Sequence, residues 1–245
     1  MENDRIESIE IGFKRRFKIK KLVNLLVCAV IAVLGVTSFV YILNYDGDGF
    51  LTFRWMTVDG TVFSTAIAII YCVASILEMA KYTEITFDFV YYLRLASAVA
   101  EGLIIAVVLL SQLPFSPQHM HILRYDMFNM HIVIPILTVA SFVFNDSPAG
   151  KLKAGKILHG MWFVALYAVT VVALIVSGTI PEDMVPYAFV DVLNMPAFAI
   201  ILSAVFIFGL GFLLSFVFYR LNKKFSWIWF KKIASKKTIP HGRQI

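Results

Sequence analysis

The sequence predicts an all-α, polytopic membrane protein: a six-transmembrane-helix bundle with both termini in the cytoplasm. Three observations predict it. Of 245 residues, 60% are hydrophobic and only 16% are charged, more apolar side chain than a soluble domain of this length carries. The apolar residues gather in runs of about 20, the length at which a helix crosses roughly 30 Å of hydrocarbon. Lysine and arginine, finally, sort to one side of those runs.

The first span is expected at Leu22–Leu43. It is too long for the apolar segment of a cleavable leader, and no small-residue cleavage site follows it, so it reads as a retained helix. The second, Val58–Leu77, begins just after Trp55, a residue type that anchors helices at the membrane interface. The third is Phe89–Leu113. The fourth has a clean apolar run only from Met130 to Phe144, with Asn145, Asp146 and Pro148 closing it. That is too short to cross, so the helix must recruit residues back to about Asp126. The fifth and sixth are Ile157–Ser177 and Pro196–Phe218. No internal repeat or long linker divides the chain, and one membrane domain is expected over 1–245, with a basic cytoplasmic tail at 219–245.

Charge gives direction. Seven cations precede the first span, from Arg5 to Lys21, and eight follow the last, from Arg220 to Arg243. Lys81, and Lys151, Lys153 and Lys156, occupy the two loops on that same side, whereas the opposite loops hold only Arg54 and Arg124. The excess marks the cytoplasmic face. An even number of spans independently puts the termini together. The net charge of +6 is therefore a topology signal and a match for anionic lipid. No recognition motif accompanies it, which speaks against nucleic acid. Cys28 and Cys72 both lie within apolar runs, so neither a disulfide framework nor a zinc site is expected. No cofactor is expected.

Polar residues inside a membrane are costly and so mark candidate sites. In span four, Asn129 and His131 are drawn below the surface, and Pro135 stands four residues after His131. Proline has no N–H, so the His131 carbonyl loses its helical partner and a kink is expected there. At the start of span two, Thr57, Thr61 and Ser64 are spaced four and three apart, on one helix face. Thr57 or Asp59 would also serve as a helix N-cap. Glu101 lies at the middle of span three and is either protonated or set in a polar cavity. Arg94 is two turns away, level with Glu78, and an Arg94–Glu78 pair is plausible. His119 and His121 precede span four; with Asp126 and His131 they are weak metal candidates, and interfacial loop histidines are the plainer reading. Spans two and four enter from the same side, so Thr57 and His131 lie at similar depth. A hydroxyl and an imidazole at one level can form a nucleophile and its base.

At these residues the chain resembles the six-span family of androgen-induced and androgen-dependent proteins, threonine hydrolases that cleave fatty acid esters of hydroxy fatty acids. "FRWMT" is similar to the family's approach to its threonine, here Thr57. "MHIVIP" is similar to its histidine with a proline shortly after, here His131 and Pro135. "VPYAFVDV" (Val185–Val192) is similar to a proline–tyrosine–phenylalanine signature in the last outer loop. Relatives often carry serine–asparagine shortly after the threonine, where this chain has Gly60 and Thr61; that departure bears on substrate and activity. The resemblance implies that Thr57 attacks an ester carbonyl, that His131 takes its proton, and that Tyr187, Asn129 or Thr61 steadies the oxyanion. It also implies a lipid or fatty acyl ester as substrate and, for a bacterial-type relative, the cell membrane as location. Two other classes stay open: a non-enzymatic lipid or small-molecule binder or transporter with Glu101 in its passage, and a structural accessory membrane protein.

Overall fold

The structure, a computed structural model, describes residues 2–45, 49–80, 88–112, 114, 123–146, 154–187 and 190–234. Among the described residues the chain is helical throughout and has six helices long and apolar enough to cross a membrane. This is an integral, multi-pass membrane protein. Lipid offers no partners for backbone N–H and C=O groups, and helices satisfy theirs internally.

Helix α1 is Glu2–Tyr45, with its apolar part at Ile19–Tyr45. A 3-10 segment, Gly49–Arg54, leads to α2, Met56–Met79. Helix α3, Asp88–Val107, ends in a π-helical turn, Val108–Gln112. Helix α4 is the continuous rod Tyr125–Asn145, and α5 is Trp162–Val176, entered through a 3-10 segment at Ala154–Met161. Gly178 then takes φ +73°, a left-handed position after a helix end where glycine avoids a Cβ clash. Helix α6 is Ala197–Ala234.

The fourth span begins where its length demands. It starts at Tyr125 and takes in Asn129 and His131, both buried. The expected disturbance before Pro135 is a π-helical turn, Asn129–Val133, in which the Ile134 N–H reaches the Asn129 carbonyl. One extra residue in the turn accommodates the missing proline donor.

Helix α3 is the centre of the bundle. Leu95, Ala98, Val99, Ala100 and Leu103 are at most 1% exposed, and α2, α4 and α6 pack on it. Helix α6 is the opposite case: Phe198, Ile201, Leu202, Val205 and Phe206 all point outward, as a lipid-facing helix requires. Small residues bring the helices close. A Cβ on Gly160 would stand 2.9 Å from Ser215 Cβ, and the Ser215 hydroxyl donates to the Ile157 carbonyl at 2.6 Å. Gly160→Ala should therefore destabilise by about 1–3 kcal/mol, and Ser215→Gly should recover part of it, as read from thermal unfolding in detergent.

At the end of the bundle away from Thr57, the pairing differs from expectation. Arg94 does not pair with Glu78; Glu78 pairs with Lys21. Arg94 donates instead to Asp146 at 3.0 Å and to Ser141, and stands 5.4 Å from the centre of the Tyr71 ring. Asn24 donates to the other Asp146 oxygen at 2.6 Å, and Asn222 donates to the Asp146 carbonyl at 2.8 Å. These groups are buried, so one charge pair and its amides join α1, α3, α4 and α6. Hydrogen bonds to most of its donors and acceptors offset the cost of burying the pair, although Arg94 Nη1 and Asn24 Oδ1 are buried without a partner among the described residues.

Candidate functional site

Helix α2 begins at Met56, and its N-cap, Trp55, makes no side-chain cap hydrogen bond. Thr57 and Asp59 therefore stand inside the first turn, and the capping role expected for either is not the one the structure gives them. The first N–H groups of a helix have no partner within it, and the helix ladder here starts with the Val58 and Asp59 N–H groups on the Trp55 carbonyl. The phenol of Tyr187 lies close to this helix start, near enough to the Met56 and Thr57 main chain to feel its dipoles.

Tyr187 reaches this helix end from the loop before α6. Its ring meets Trp55 edge-on, centroids 5.5 Å apart, and the Arg54 guanidinium lies 5.2 Å from the centre of the Trp55 ring. Tyr187 and Thr57 share the wall of one cavity, and the Thr57 side chain bears on the phenol. Burial pushes the Tyr187 phenol up to about 12, only partly offset by Thr57 and the helix N–H groups. At neutral pH it keeps its proton and acts as a donor. A second phenol, Tyr167 on α5, donates to the Arg54 carbonyl at 2.7 Å.

Thr57 and Tyr187 line a cavity with Met56, Leu103, Ile104, Val107 and Val108 from α2 and α3, closed by Ile207 of α6. Its volume is about 10 Å³, the room one water occupies. The site thus has a threonine 7% exposed, a protonated phenol in the same wall, two helix-terminal N–H groups and an apolar lining. Helix-terminal N–H groups and a phenol are donors of the type that stabilise an oxyanion.

The other expected residues fall as follows. His131 is buried at the same end of the bundle, where the chain neighbours Val58 and Met130 pack together with Ile42. Its Nδ1 lies 2.9 Å from the Met127 carbonyl. A carbonyl only accepts, so Nδ1 carries the proton and Nε2 is the basic nitrogen. His131 is not in the cavity wall, and its polar partner is Met127 rather than Thr57. Asn129 donates to Ser38 on α1 at 3.2 Å. Thr61 is fully buried with its hydroxyl unpartnered, and Glu101 is fully buried with neither oxygen hydrogen-bonded in regular geometry. His119 and His121 lie outside the described residues. Their expected companion Asp126 accepts both of its close contacts from Arg124, at 2.7 and 2.6 Å. Among the described residues no group of three or more His, Cys, Asp or Glu side chains could hold a metal ion.

Spacing gave no hint of Tyr167, of the α2 N–H groups or of the α3 wall. A tyrosine within an apolar run was the one available signal for Tyr167. Compared with protein-family models, curated proteins and solved structures, the chain matches none.

Proposed function

We propose that this protein is a membrane-embedded hydrolase of fatty acyl esters with Thr57 as its nucleophile. The carrying observation is the placing of Thr57: inside the first turn of α2 rather than at its cap, and beside Tyr187 in the wall of an apolar cavity. The resemblance of FRWMT, MHIVIP and VPYAFVDV to the six-span threonine hydrolases supports the same reading.

In this reading Thr57 Oγ attacks the ester carbonyl carbon and its proton passes to His131 Nε2. The carbonyl oxygen becomes an oxyanion, held by Tyr187 and the α2 N–H groups. The C–O bond to the alcohol breaks, the alcohol leaves with the proton from His131, and an acyl-threonine remains. Water attacks that ester, His131 takes its proton, and the fatty acid departs as the proton returns to Thr57. The Met127 carbonyl holds the imidazole in the tautomer this requires. The acyl chain enters from the bilayer by parting α6 at Ile207 from α3, because the closed cavity has room for water only. The basic termini face the cytoplasm beside anionic lipid, and Thr57 faces the outer leaflet, in a bacterial plasma membrane.

The test is hydrolysis of fluorogenic acyl esters of graded chain length by purified protein in nanodiscs. Tyr187→Phe should lower kcat by about 10²–10³ while leaving KM nearly unchanged, the effect of losing one oxyanion donor. Absence of hydrolysis by the wild type at every chain length would contradict the proposal.

A further inference from the structure

Glu101 is used by none of these steps. It lies in the middle of α3, the most enclosed helix, at 0% exposure. An ionised carboxylate there, with no cation beside it, is among the most costly groups a membrane protein can hold. The nearby cation is already committed: Arg94, two turns away, is bound to Asp146 and Ser141. Hydroxyls are what the site offers. Ser97, one turn before Glu101 on α3, donates to the Ser64 oxygen at 2.9 Å, which leaves the Ser64 proton free to be donated onward and sets the hydroxyl face of α2 against α3 beside Glu101. One turn along α2, the Thr61 hydroxyl is buried and unpartnered.

We propose that Glu101 is a proton-binding site in the interior of the bundle, exchanging its proton with the hydroxyl row Ser64–Thr61 that runs along α2 toward Thr57. In the acid form the carboxyl gains an O–H donor and loses its charge, so both defects of the site are removed by one proton. When the proton leaves, the carboxylate accepts from Ser64. Successive hydroxyls at three- and four-residue spacing have Cβ atoms about 5–6 Å apart, a gap that a hydroxyl rotation and one water can span. A metal cation fits less well. It needs several oxygen ligands and room for them, whereas the Thr57 cavity does not include Glu101, and the space beside Gly60 is filled by Ile104, 2.7 Å from where a Cβ would stand.

The other ionisable groups on the helices around α3 belong to the two ends. Asp59, Asp126, His131 and Tyr167 accompany Thr57. Tyr71, Cys72, Glu78, Tyr91, Tyr92 and Asp146 accompany Arg94, with Lys156, His159, Tyr219 and Arg220 on the segments packed behind it.

The experiment is labelling of the purified full chain with dicyclohexylcarbodiimide, which captures protonated carboxyls in apolar surroundings, followed by peptide mapping across a pH series. An adduct on Glu101 is expected, forming more slowly as pH rises, by about tenfold per unit once the carboxylate predominates. Glu101→Gln should lose the adduct and Glu101→Asp should keep it, so a poorly folding glutamine variant does not decide the matter. No adduct on Glu101, or an adduct whose rate ignores pH, overturns the proposal. So does protection by Na⁺ at constant ionic strength, which would make the site a sodium site. The readout is independent of ester hydrolysis and stands or falls apart from it.

Discussion

Thr57→Ala is expected to reduce acyl ester hydrolysis by about 10⁴-fold or more, to the residual rate that binding and oxyanion donors alone support. The argument is geometric. Thr57 is not the cap of its helix, and it shares a cavity wall with a phenol that keeps its proton at neutral pH. The substitution deletes the one aliphatic hydroxyl among the described residues that line the cavity, while Met56, Leu103 and Ile104 keep the wall's shape. Thr57→Ser keeps the oxygen and should retain measurable turnover. His131→Ala should fall nearly as far as Thr57→Ala, and the double variant little further, because nucleophile and base act as one unit. Thermal unfolding of all four should stay close to wild type, which separates chemistry from folding.

The second large effect lies at the other end of the bundle. Arg94→Ala should destabilise by about 3–5 kcal/mol, because it leaves the Asp146 carboxylate buried without its cation. Asp146→Ala should cost a similar amount, by stranding the guanidinium that Ser141 and Tyr71 alone cannot neutralise. Replacing both, as Arg94→Met with Asp146→Leu, should recover much of the loss, since two apolar groups leave no unpaired charge. Melting temperatures in detergent provide the check. Single variants that melt like the wild type would mean that the pair contributes nothing to holding α3 against α4.

Much of the fold could be read from residue order because the bilayer imposes a length. The short run Met130–Phe144 forced the fourth helix upstream, and it starts at Tyr125, carrying Asn129 and His131 into the bundle. Pairings across helices were less legible. Glu78 and Arg94 were expected to be level, but Ser97 meets Ser64 and Arg94 stands over Tyr71, two turns before Glu78 on α2, so Lys21 takes Glu78 while Asp146 takes Arg94. Asp146 reads in sequence only as the residue that ends a span. Thr57 shows a different limit. Threonine before an apolar run signals a cap, but the 3-10 segment Gly49–Arg54 is followed by a helix that starts at Met56, with Trp55 at the cap and Thr57 two positions past it. Tyr187 entered only through the resemblance, since no local spacing ties a loop residue after α5 to the first turn of α2. The His131 tautomer is set by the Met127 carbonyl of its own helix, a contact that residue spacing alone does not announce.

The central claim is that the Thr57 oxygen is the nucleophile, and covalent capture tests it most directly. Wild-type protein treated with a lipophilic fluorophosphonate should gain one adduct, mapped by mass spectrometry to Thr57, and Thr57→Ala should gain none. A Thr57→Ala variant that is labelled like the wild type and still hydrolyses acyl esters would contradict the account.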